Sequence, residues 1–209
     1  MNDYQQLLYN EAAFKSSHNS YDRKESLDEQ LQFYDTPDNY YNCGCRGLEL
    51  DIWRHTQSNP NSPDWFTVNH LTNGGKTLDY YLSQLRVWHV YKPGHDIVQV
   101  VLDIKSSGGD ASSFPDEIDR YLTNYMGREL ILAPNDLFRD IVGNNLSEQV
   151  KIQGWPALGA MKDKFIFCLS GNEDWKKLYA EMHPAARLCF ADATDASQLM
   201  VPNSRVVYN

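Results

Sequence analysis

No apolar run in this sequence approaches the about 20 residues that a membrane-spanning helix needs. The first residues also lack the basic stretch, followed by an apolar stretch, that marks a secretory signal. From these two absences we expect either an intracellular protein or a chain that begins after a removed signal. The sequence leaves these two locations open.

Basic residues are scarce relative to acidic ones. The chain has 19 Lys and Arg against 28 Asp and Glu, which gives a formal net charge of -9. A nucleic-acid-binding protein should show a basic stripe, and adsorption to anionic lipid also needs positive charge. The composition therefore argues against both partners. It does not exclude a substrate phosphate that is held locally by a metal ion.

Cysteine is also limited, with four in the chain. Cys43 and Cys45 flank one glycine, which is too close for an easy mutual disulfide, and no second Cys/His pair follows at zinc-finger spacing. Cys168 and Cys189 lie in apolar segments, and a small buried side chain is expected for Cys168. Internal repeats and low-complexity segments are absent from the sequence as well.

Strand and helix signals alternate along the 209 residues, which predicts one α/β domain with a largely parallel sheet. The expected helices are residues 23–33, Leu78–Tyr91, a helix introduced by Pro115, and residues 174–182. The expected strands are residues 12–21, 47–53, 65–70, Val98–Ile104, 165–169, 188–191 and 205–208. Seven strands with interposed helices favour a TIM-type (β/α) barrel. Because complete barrels have eight strands and about 250 residues, we expect a barrel that is incomplete or truncated at its carboxyl end.

The strand at residues 47–53 carries two acids on one face. Glu49 and Asp51 alternate with Leu48, Leu50 and Ile52. Successive side chains of a strand point to opposite faces, so the two carboxylates emerge on the same side, about 7 Å apart. Two such acids are stable mainly where a cation or a shared proton compensates their charge.

Polar residues end three further predicted strands: His18-Asn19, Asn69-His70, and Asp103 with Lys105 two positions later. A (β/α) barrel gathers the carboxyl ends of its strands around one axis, which brings such groups together. His18 and Asn19 are adjacent and reach one site only if the backbone bends. Ser17 and Ser20 can hold such a bend through local hydrogen bonds.

The residue types suggest a division of labour. The expected oxygen ligands for Ca²⁺, or alternatively Mg²⁺, are Asn19, Glu49, Asp51 and Asp103. His18 and His70 are the expected proton-transfer groups, since histidine titrates near neutrality. Zinc would require more His or Cys ligands and is disfavoured here. Lys105 lies on the same face as Asp103 and is a candidate contact to a substrate phosphate.

With those residues placed, the chain resembles the calcium-dependent phosphatidylinositol-specific phospholipase C family, particularly its bacterial-type members. The resemblance lies in the order and spacing of separate segments over residues 11–175. These segments are Ser17-His18-Asn19-Ser20-Tyr21, residues 45–53, Asn69-His70 with Thr77-Leu78, Arg86-Val87-Trp88 with Pro93-Gly94-His95, and residues 154–159.

The resemblance implies a TIM-type barrel and a catalytic Ca²⁺ held by Asn19, Glu49, Asp51 and Asp103. It implies that a phosphoinositide or related phosphodiester is cleaved on the diacylglycerol side, where the inositol 2-hydroxyl attacks phosphorus to give a cyclic phosphodiester. His18 and His70 would be the acid/base or transition-state-stabilising pair. The bacterial members are usually exported.

The chain departs from the family pattern at two places. The fourth-strand acid is Asp103 rather than Glu, one methylene shorter, which leaves room for a longer ligand bond or a water. The late-strand residues that bind headgroup and phosphate are not recognisable, and Arg205 is the one late-strand cation to consider.

Two other functions stay open at this point. One is a glycerophosphodiester phosphodiesterase, although the asparagine after His18 favours the phosphoinositide enzyme. The other is a non-catalytic barrel that binds phospholipid headgroups. Peripheral membrane contact through Trp53, Trp65 or Tyr40-Tyr41 is a further hypothesis. The sequence does not indicate an oligomeric state.

Overall fold

The computed structural model describes residues 3–32, 44–105, 109–137, 146–183, 186–199 and 205–207. Its strands are β1 Ser16–Ser17, β2 Gly47–Arg54, β3 Phe66–Val68, β4 Lys76–Thr77, β5 Val98–Ile104, β6 Phe165–Gly171, β7 Phe190–Ala193 and β8 Arg205–Val207. Its α-helices are α1 Leu27–Leu31, α2 Leu78–Tyr91, α3 Phe114–Tyr125, α4 Pro134–Leu137, α5 Leu146–Gln153 and α6 Glu173–Glu181.

Six of these strands form a parallel run whose order in space follows the order in the chain: β1, β2, β5, β6, β7, β8. Helices α2, α3 and α6 lie between consecutive strands of this run. This is the arrangement of a TIM-type (β/α) barrel, and it confirms the fold class that the sequence predicts. Among the described residues the first and last strands of the run, β1 and β8, are not paired with each other.

The third predicted strand differs from expectation in its direction. β3 runs antiparallel to the end of β2, with Ile52 opposite Val68, and forms a hairpin with β4, which the sequence does not predict. The reason is the length of β2. The short strand β1 pairs only with Gly47 and Leu48, so the same edge of β2 is available to β3 farther along.

Several boundaries agree with the sequence patterns and others shift. α2 and β5 have the predicted bounds, and Thr77 caps α2 by accepting a hydrogen bond of 3.2 Å from the Tyr80 amide. The predicted helix over residues 23–33 is shorter, because Ser26 and Glu29 form a capping box that begins α1 at Leu27. β7 begins two residues later than the predicted strand.

The sheet buries two separate apolar layers. On one face Leu50, Leu102 and Phe167 pack in the core shared with helices α2 and α3. On the other face Ile166 and Cys168 pack with amino-terminal residues such as Phe14. The alternating strand positions therefore serve two different cores, as expected for a barrel wall.

The buried setting expected for Cys168 is confirmed, and Cys189 is buried as well, whereas Cys43 lies outside the described residues. In the part of the chain that the structure describes, no helix is both long enough and apolar enough to span a bilayer.

Leu50 belongs to the apolar layer that β2 shares with helices α2 and α3, and its substitution should show how much this layer contributes to stability. Its side chain is fully buried, so Leu50→Ala leaves a cavity and should lower the free energy of unfolding by about 2–5 kcal/mol. Denaturant unfolding measures this change. The matched control is Ile152→Ala, whose side chain is 76% exposed and whose effect should stay within about 0.5 kcal/mol. Equal effects of the two substitutions would contradict this description of the core.

Candidate active site

Three carboxylates crowd together on the inner face of the sheet. Glu49, Asp51 and Asp103 each place one oxygen within 4.8 Å of the others. Asp51 and Asp103 are directly opposite each other in the parallel pairing of β2 and β5. Glu49 precedes Asp51 by two positions and therefore shares its face. The sequence-predicted acids are thus brought together by register and by the two-residue period of β2.

Asp51 is the most buried of the three, with 1% of its side chain exposed. Its Oδ2 atom accepts a hydrogen bond of 2.8 Å from the Tyr21 hydroxyl and lies 2.8 Å from Nδ1 of His70. Its Oδ1 atom lies 3.6 Å from Nζ of Lys105. A buried carboxylate is costly unless it is hydrogen-bonded and paired, and these three neighbours supply that compensation.

His18 and Asn19 occupy a backbone bend after β1. Asn19 has φ 48° and ψ 53°, the left-handed conformation that asparagine tolerates. The Ser20 hydroxyl donates to the Ser17 carbonyl at 2.7 Å and accepts from the Glu49 amide at 2.9 Å, which ties the bend to β2. The bend and its serine support agree with the sequence argument.

This bend directs two groups to one carboxylate oxygen. The Asn19 amide donates to Oε2 of Glu49 at 3.0 Å, and Nε2 of His18 lies 3.3 Å from the same oxygen. The His18 imidazole is 74% exposed, so it faces solvent at the rim of the site. The Asn19 side-chain oxygen accepts a hydrogen bond of 3.2 Å from the Tyr21 hydroxyl.

His70 belongs to the loop that joins β3 to β4. The preceding residue, Asn69, donates its amide to the Asp51 carbonyl at 3.0 Å and accepts from the Trp53 indole at 2.6 Å. The Asn69 side chain also accepts from the Leu71 amide at 3.0 Å. These bonds fix the loop, and the bond to Asp51 orients the His70 ring, of which 52% remains exposed.

Lys105 and Asp103 form an ion pair at the end of β5, with Nζ 3.4 Å from Oδ2. Burial raises the pKa of the Asp103 carboxyl, Lys105 opposes that rise, and the charges of Asp51 and Glu49 add to it. Lys105 therefore neutralises part of the acidic cluster, in addition to the phosphate contact predicted for it.

Two residues support the site beyond those that the sequence analysis assigns. Burial, reinforced by its hydrogen bond to Asp51, raises the pKa of the Tyr21 phenol, so the hydroxyl stays protonated and donates. Tyr21 belongs to the same sequence segment as His18, and this proximity could have identified its role from the sequence. Gly171 ends β6 with φ 83°, where a Cβ atom would collide with Oδ1 of Asp103. No local pattern around Gly171 predicts this approach.

The aromatic residues and the late-strand cation that the sequence analysis singles out have different settings in the structure. Trp65 is buried, with 4% exposure, and donates to Glu117, so its proposed role in membrane contact is wrong. Trp53 is half-buried and bonded to Asn69, and Tyr40-Tyr41 lie outside the described residues. Arg205 is the first residue of β8. The large exposed apolar side chain beside the site is instead Leu71, at 79% exposure.

Two open clefts, of about 460 and 420 Å³, adjoin the loop that carries His70, and Leu71 lines both of them. Lys105 lines the first, and His70 and Asn19 line the second. The site therefore offers oxygen ligands for a hard cation, two exposed imidazoles and room for a polar substrate.

The model of a protein family described as Ca²⁺-dependent phosphoinositide phospholipase C matches residues 68–200, and the chain belongs to this family. His70, Asp103 and Lys105 fall within the matched residues, whereas His18, Asn19, Glu49 and Asp51 precede them. Dependence on Ca²⁺ is thus a property of the family, and the oxygen donors described above suit that ion.

Solved structures support the same fold. The chain is similar to a calcium-dependent phosphoinositol-specific phospholipase C from Pseudomonas sp, at TM-score 0.71 and 22% identity, with 95% of this chain and 73% of that chain covered. It is also similar to a Ca²⁺-dependent enzyme of this type from Streptomyces antibioticus, at TM-score 0.55 and 20% identity, with coverage of 82% and 68%. A search among curated proteins finds no match.

Gly171→Ala should disturb the carboxylate cluster through Asp103. The new Cβ would contact Asp103 Oδ1 and lie 2.6 Å from the Ile104 carbonyl, and the positive φ adds backbone strain of about 1–2 kcal/mol. We expect a lower free energy of unfolding and a weaker affinity for Ca²⁺, measured by denaturation and calorimetry. The matched control is Gly154→Ala, with φ 72° and no atom within 4 Å of its Cβ. Equal losses in both variants would show that strain alone acts.

Asp103→Asn should stabilise the calcium-free protein. Folding raises the pKa of this carboxyl, so the native state disfavours its charge, and stability falls as pH rises from the ordinary carboxyl range through the raised value. At pH 7 in EDTA, the variant should therefore melt a few degrees higher than the wild type. Added Ca²⁺ should stabilise the wild type more than the variant if Asp103 is a Ca²⁺ ligand, as the sequence analysis expects, since the variant lacks that charged oxygen.

The control for this experiment is Asp119→Asn. Burial also raises the pKa of Asp119, but its carboxylate accepts from the Tyr179 hydroxyl at 2.5 Å and from Arg187 at 2.9 Å. Although the pKa shift has the same direction, Asp119→Asn deprives the buried Arg187, whose side chain is 3% exposed, of one carboxylate partner, so this substitution should cost about 2 kcal/mol. A destabilising effect of Asp103→Asn in EDTA would contradict the view that the cluster is electrostatically strained.

Proposed function

We propose that the chain is a phosphoric diester hydrolase that cleaves phosphatidylinositol or a related phosphodiester in a Ca²⁺-dependent reaction. The observation that supports this most directly is the meeting of two imidazoles with three carboxylates at one end of the sheet. Membership of the Ca²⁺-dependent phosphoinositide phospholipase C family makes a phosphoinositide the preferred substrate class.

Glu49, Asp51 and Asp103 are the proposed Ca²⁺ ligands, with the side-chain oxygen of Asn19 as a fourth. Ca²⁺ takes oxygen ligands at 2.3–2.6 Å, so oxygens within 4.8 Å of one another can share one ion. When bound, the ion would polarise a phosphoryl oxygen and lower the pKa of a coordinated hydroxyl.

His18 and His70 are the proposed proton-transfer pair. In the reaction the inositol 2-hydroxyl forms a new O–P bond while the bond from phosphorus to the diacylglycerol oxygen breaks. One imidazole accepts the proton of the attacking hydroxyl, and the other donates a proton to the leaving oxygen. The products are diacylglycerol and an inositol cyclic phosphate, which water can then open. Because His70 is held by Asp51 and His18 lies beside Glu49, both rings are oriented by carboxylates.

Two other groups complete the proposal. Lys105, whose Nζ is 3.4 Å from Asp103 and 3.6 Å from Asp51, is the ammonium within reach of a phosphate bound at these carboxylates. Leu71 is adjacent to His70 and strongly exposed, so it is the apolar group that would meet the acyl chains or a lipid surface. Both assignments put the polar headgroup against the strands and the lipid tail at the rim.

Substitution of either histidine should abolish most of the activity without unfolding the protein. His18→Gln and His70→Gln should each lower kcat at least about 100-fold on phosphatidylinositol vesicles, as expected for loss of an acid/base group. Both rings are more than half exposed, so the free energy of unfolding should change by less than about 1 kcal/mol. Product release followed by phosphorus NMR would report the cyclic phosphate directly, and EDTA should remove the activity.

The exposed His183 provides the control, since His183→Asn keeps its positive φ of 54° and should leave activity unchanged. Glycerophosphocholine serves as the competing substrate. Turnover of that compound in preference to phosphatidylinositol would point to a glycerophosphodiesterase instead. Binding of vesicles with no turnover of either substrate would point to a headgroup-binding barrel.

A further inference from the structure

We propose that His89, His95 and Asp163 form a second cation site, for a transition-metal ion such as Zn²⁺, at the opposite end of the sheet from the carboxylate cluster. Each of the three residues offers one ligand atom, and these atoms lie within 4.8 Å of one another. This site is independent of the proposed phosphodiesterase chemistry.

The position of the three residues separates them from the active site. His89 lies in the last turn of α2, His95 precedes β5, and Asp163 precedes β6. They are thus at the amino ends of these strands. Glu49 and Asp51 are level with Val101 and Asp103 of β5, so about 10–17 Å of strand separate the start of β5 from the carboxylate cluster.

The distances between ligand atoms suit a small tetrahedral ion. Nδ1 of His89 is 3.0 Å from Nε2 of His95, which is 4.0 Å from Oδ1 of Asp163. Ligands held about 2.0–2.1 Å from zinc at tetrahedral angles are about 3.3–3.4 Å apart. These two distances differ from that value by about 0.3–0.7 Å, and the third, from His89 to Asp163, is no more than 4.8 Å, so side-chain rotations would bring the three atoms to one ion.

The hydrogen bonds already set the correct tautomer on His95. Its Nδ1 atom donates to the Asp96 carbonyl at 2.7 Å, which leaves the lone pair of neutral His95 on Nε2, toward the other two ligands. Bonds of this kind to a backbone carbonyl commonly orient metal-ligating histidines. Burial lowers the pKa of His95, so the ring is neutral at physiological pH.

The hydrogen bond between the two imidazole rings is compatible with metal binding. Because Nε2 of His95 accepts, Nδ1 of His89 is the donor in their 3.0 Å hydrogen bond. When a cation replaces that proton, His89 becomes the other neutral tautomer, with its proton on Nε2. His89 is half-buried, so its ring is not fully enclosed by the protein. Both rings therefore stay neutral, and the negative charge of Asp163 partly neutralises the incoming cation.

The surroundings are those of a metal site with an access path. His95 packs against the rings of Trp88 and Phe165, at centroid distances of 4.4 and 5.4 Å, which shields it from water. A cleft of about 210 Å³, lined in part by Trp88 and Lys92, opens onto His95. The nearby Arg46 opposes a cation, but Asp96 lies 3.8 Å from its guanidinium and offsets this charge.

The Asp163 carboxylate is held in place by the backbone. Asp163 has φ 61°, and its Oδ1 accepts from the Gly94 amide at 2.6 Å while its own amide donates to the His95 carbonyl at 3.0 Å. Two imidazoles and one carboxylate with an open fourth position are a ligand set typical of zinc, whereas Ca²⁺ prefers oxygen alone. A bound ion would fasten the end of α2 to the segments that enter β5 and β6.

The test is metal binding to the full chain in the presence of millimolar Ca²⁺, which occupies the carboxylate cluster. We expect one Zn²⁺ per chain by competition with a chromophoric chelator, a higher Tm with Zn²⁺, and a Co²⁺ visible spectrum of tetrahedral form. His89→Gln and Asp163→Asn should each weaken Zn²⁺ affinity at least about 10-fold, since even residues that merely orient a ligand contribute about 10–100-fold. Asn tolerates positive φ and can still accept from Gly94, so Asp163→Asn removes the charge with little other change.

Two controls make the outcome decisive. His183→Asn removes an exposed histidine elsewhere and should leave the affinity unchanged, and so should Asp51→Asn in the carboxylate cluster. Circular dichroism verifies that each variant is folded. Zn²⁺ binding that is lost in Asp51→Asn but kept in His89→Gln would overturn the proposal by assigning the ion to the active site. An absence of stoichiometric Zn²⁺ binding would reduce the cluster to a hydrogen-bonded histidine pair.

Discussion

Mutual repulsion among Glu49, Asp51 and Asp103 is the constraint on which the arrangement of the site depends. The three carboxylates cannot move apart without loss of backbone pairing, because Asp51 and Asp103 are opposite each other in the register of β2 and β5. Compensation therefore has to come from the residues around them. Tyr21, His70 and Lys105 reach the cluster from three different segments, and each places a donor or a positive charge on it. The His70 imidazole and the supporting groups are thus positioned by the same negative charge that would attract Ca²⁺.

Much of the fold could be predicted from the sequence because burial follows the period of each element. The alternation around Glu49 gives the correct faces of β2, and the apolar stripe of α2 gives its bounds. The direction of a strand, in contrast, does not follow from its pattern of apolar residues. The segment 65–70 is apolar enough for a barrel strand, yet β3 runs antiparallel because the short β1 leaves the far edge of β2 open. That outcome depends on the relative lengths of two strands, which periodicity does not reveal.

The site was predictable to a similar extent. Polar residues at successive strand ends meet because a parallel sheet gathers those ends, and the structure brings His18, His70 and the acids together for this reason. The supporting contacts are not local properties of the sequence. Gly171 matters because of a close approach between β6 and the Asp103 side chain, two segments nearly 70 positions apart in the chain. Lys105 follows Asp103 by two positions, which the sequence pattern uses to put both residues on one face, but the ion pair between them also depends on how deeply each side chain is buried.

α2 connects the two ends of the molecule that carry polar clusters. Thr77 is both the last residue of β4 and the N-cap of α2, so the helix begins where the hairpin that bears the His70 loop ends. Its last turn carries His89, and 14 residues of helix span about 21 Å between these points. At that distance electrostatic coupling between cations in physiological salt is weak, since the Debye length is about 8 Å. An ion bound at His89 would therefore leave the electrostatics of the carboxylate cluster nearly unchanged, as expected for a site that is independent of the proposed phosphodiesterase chemistry.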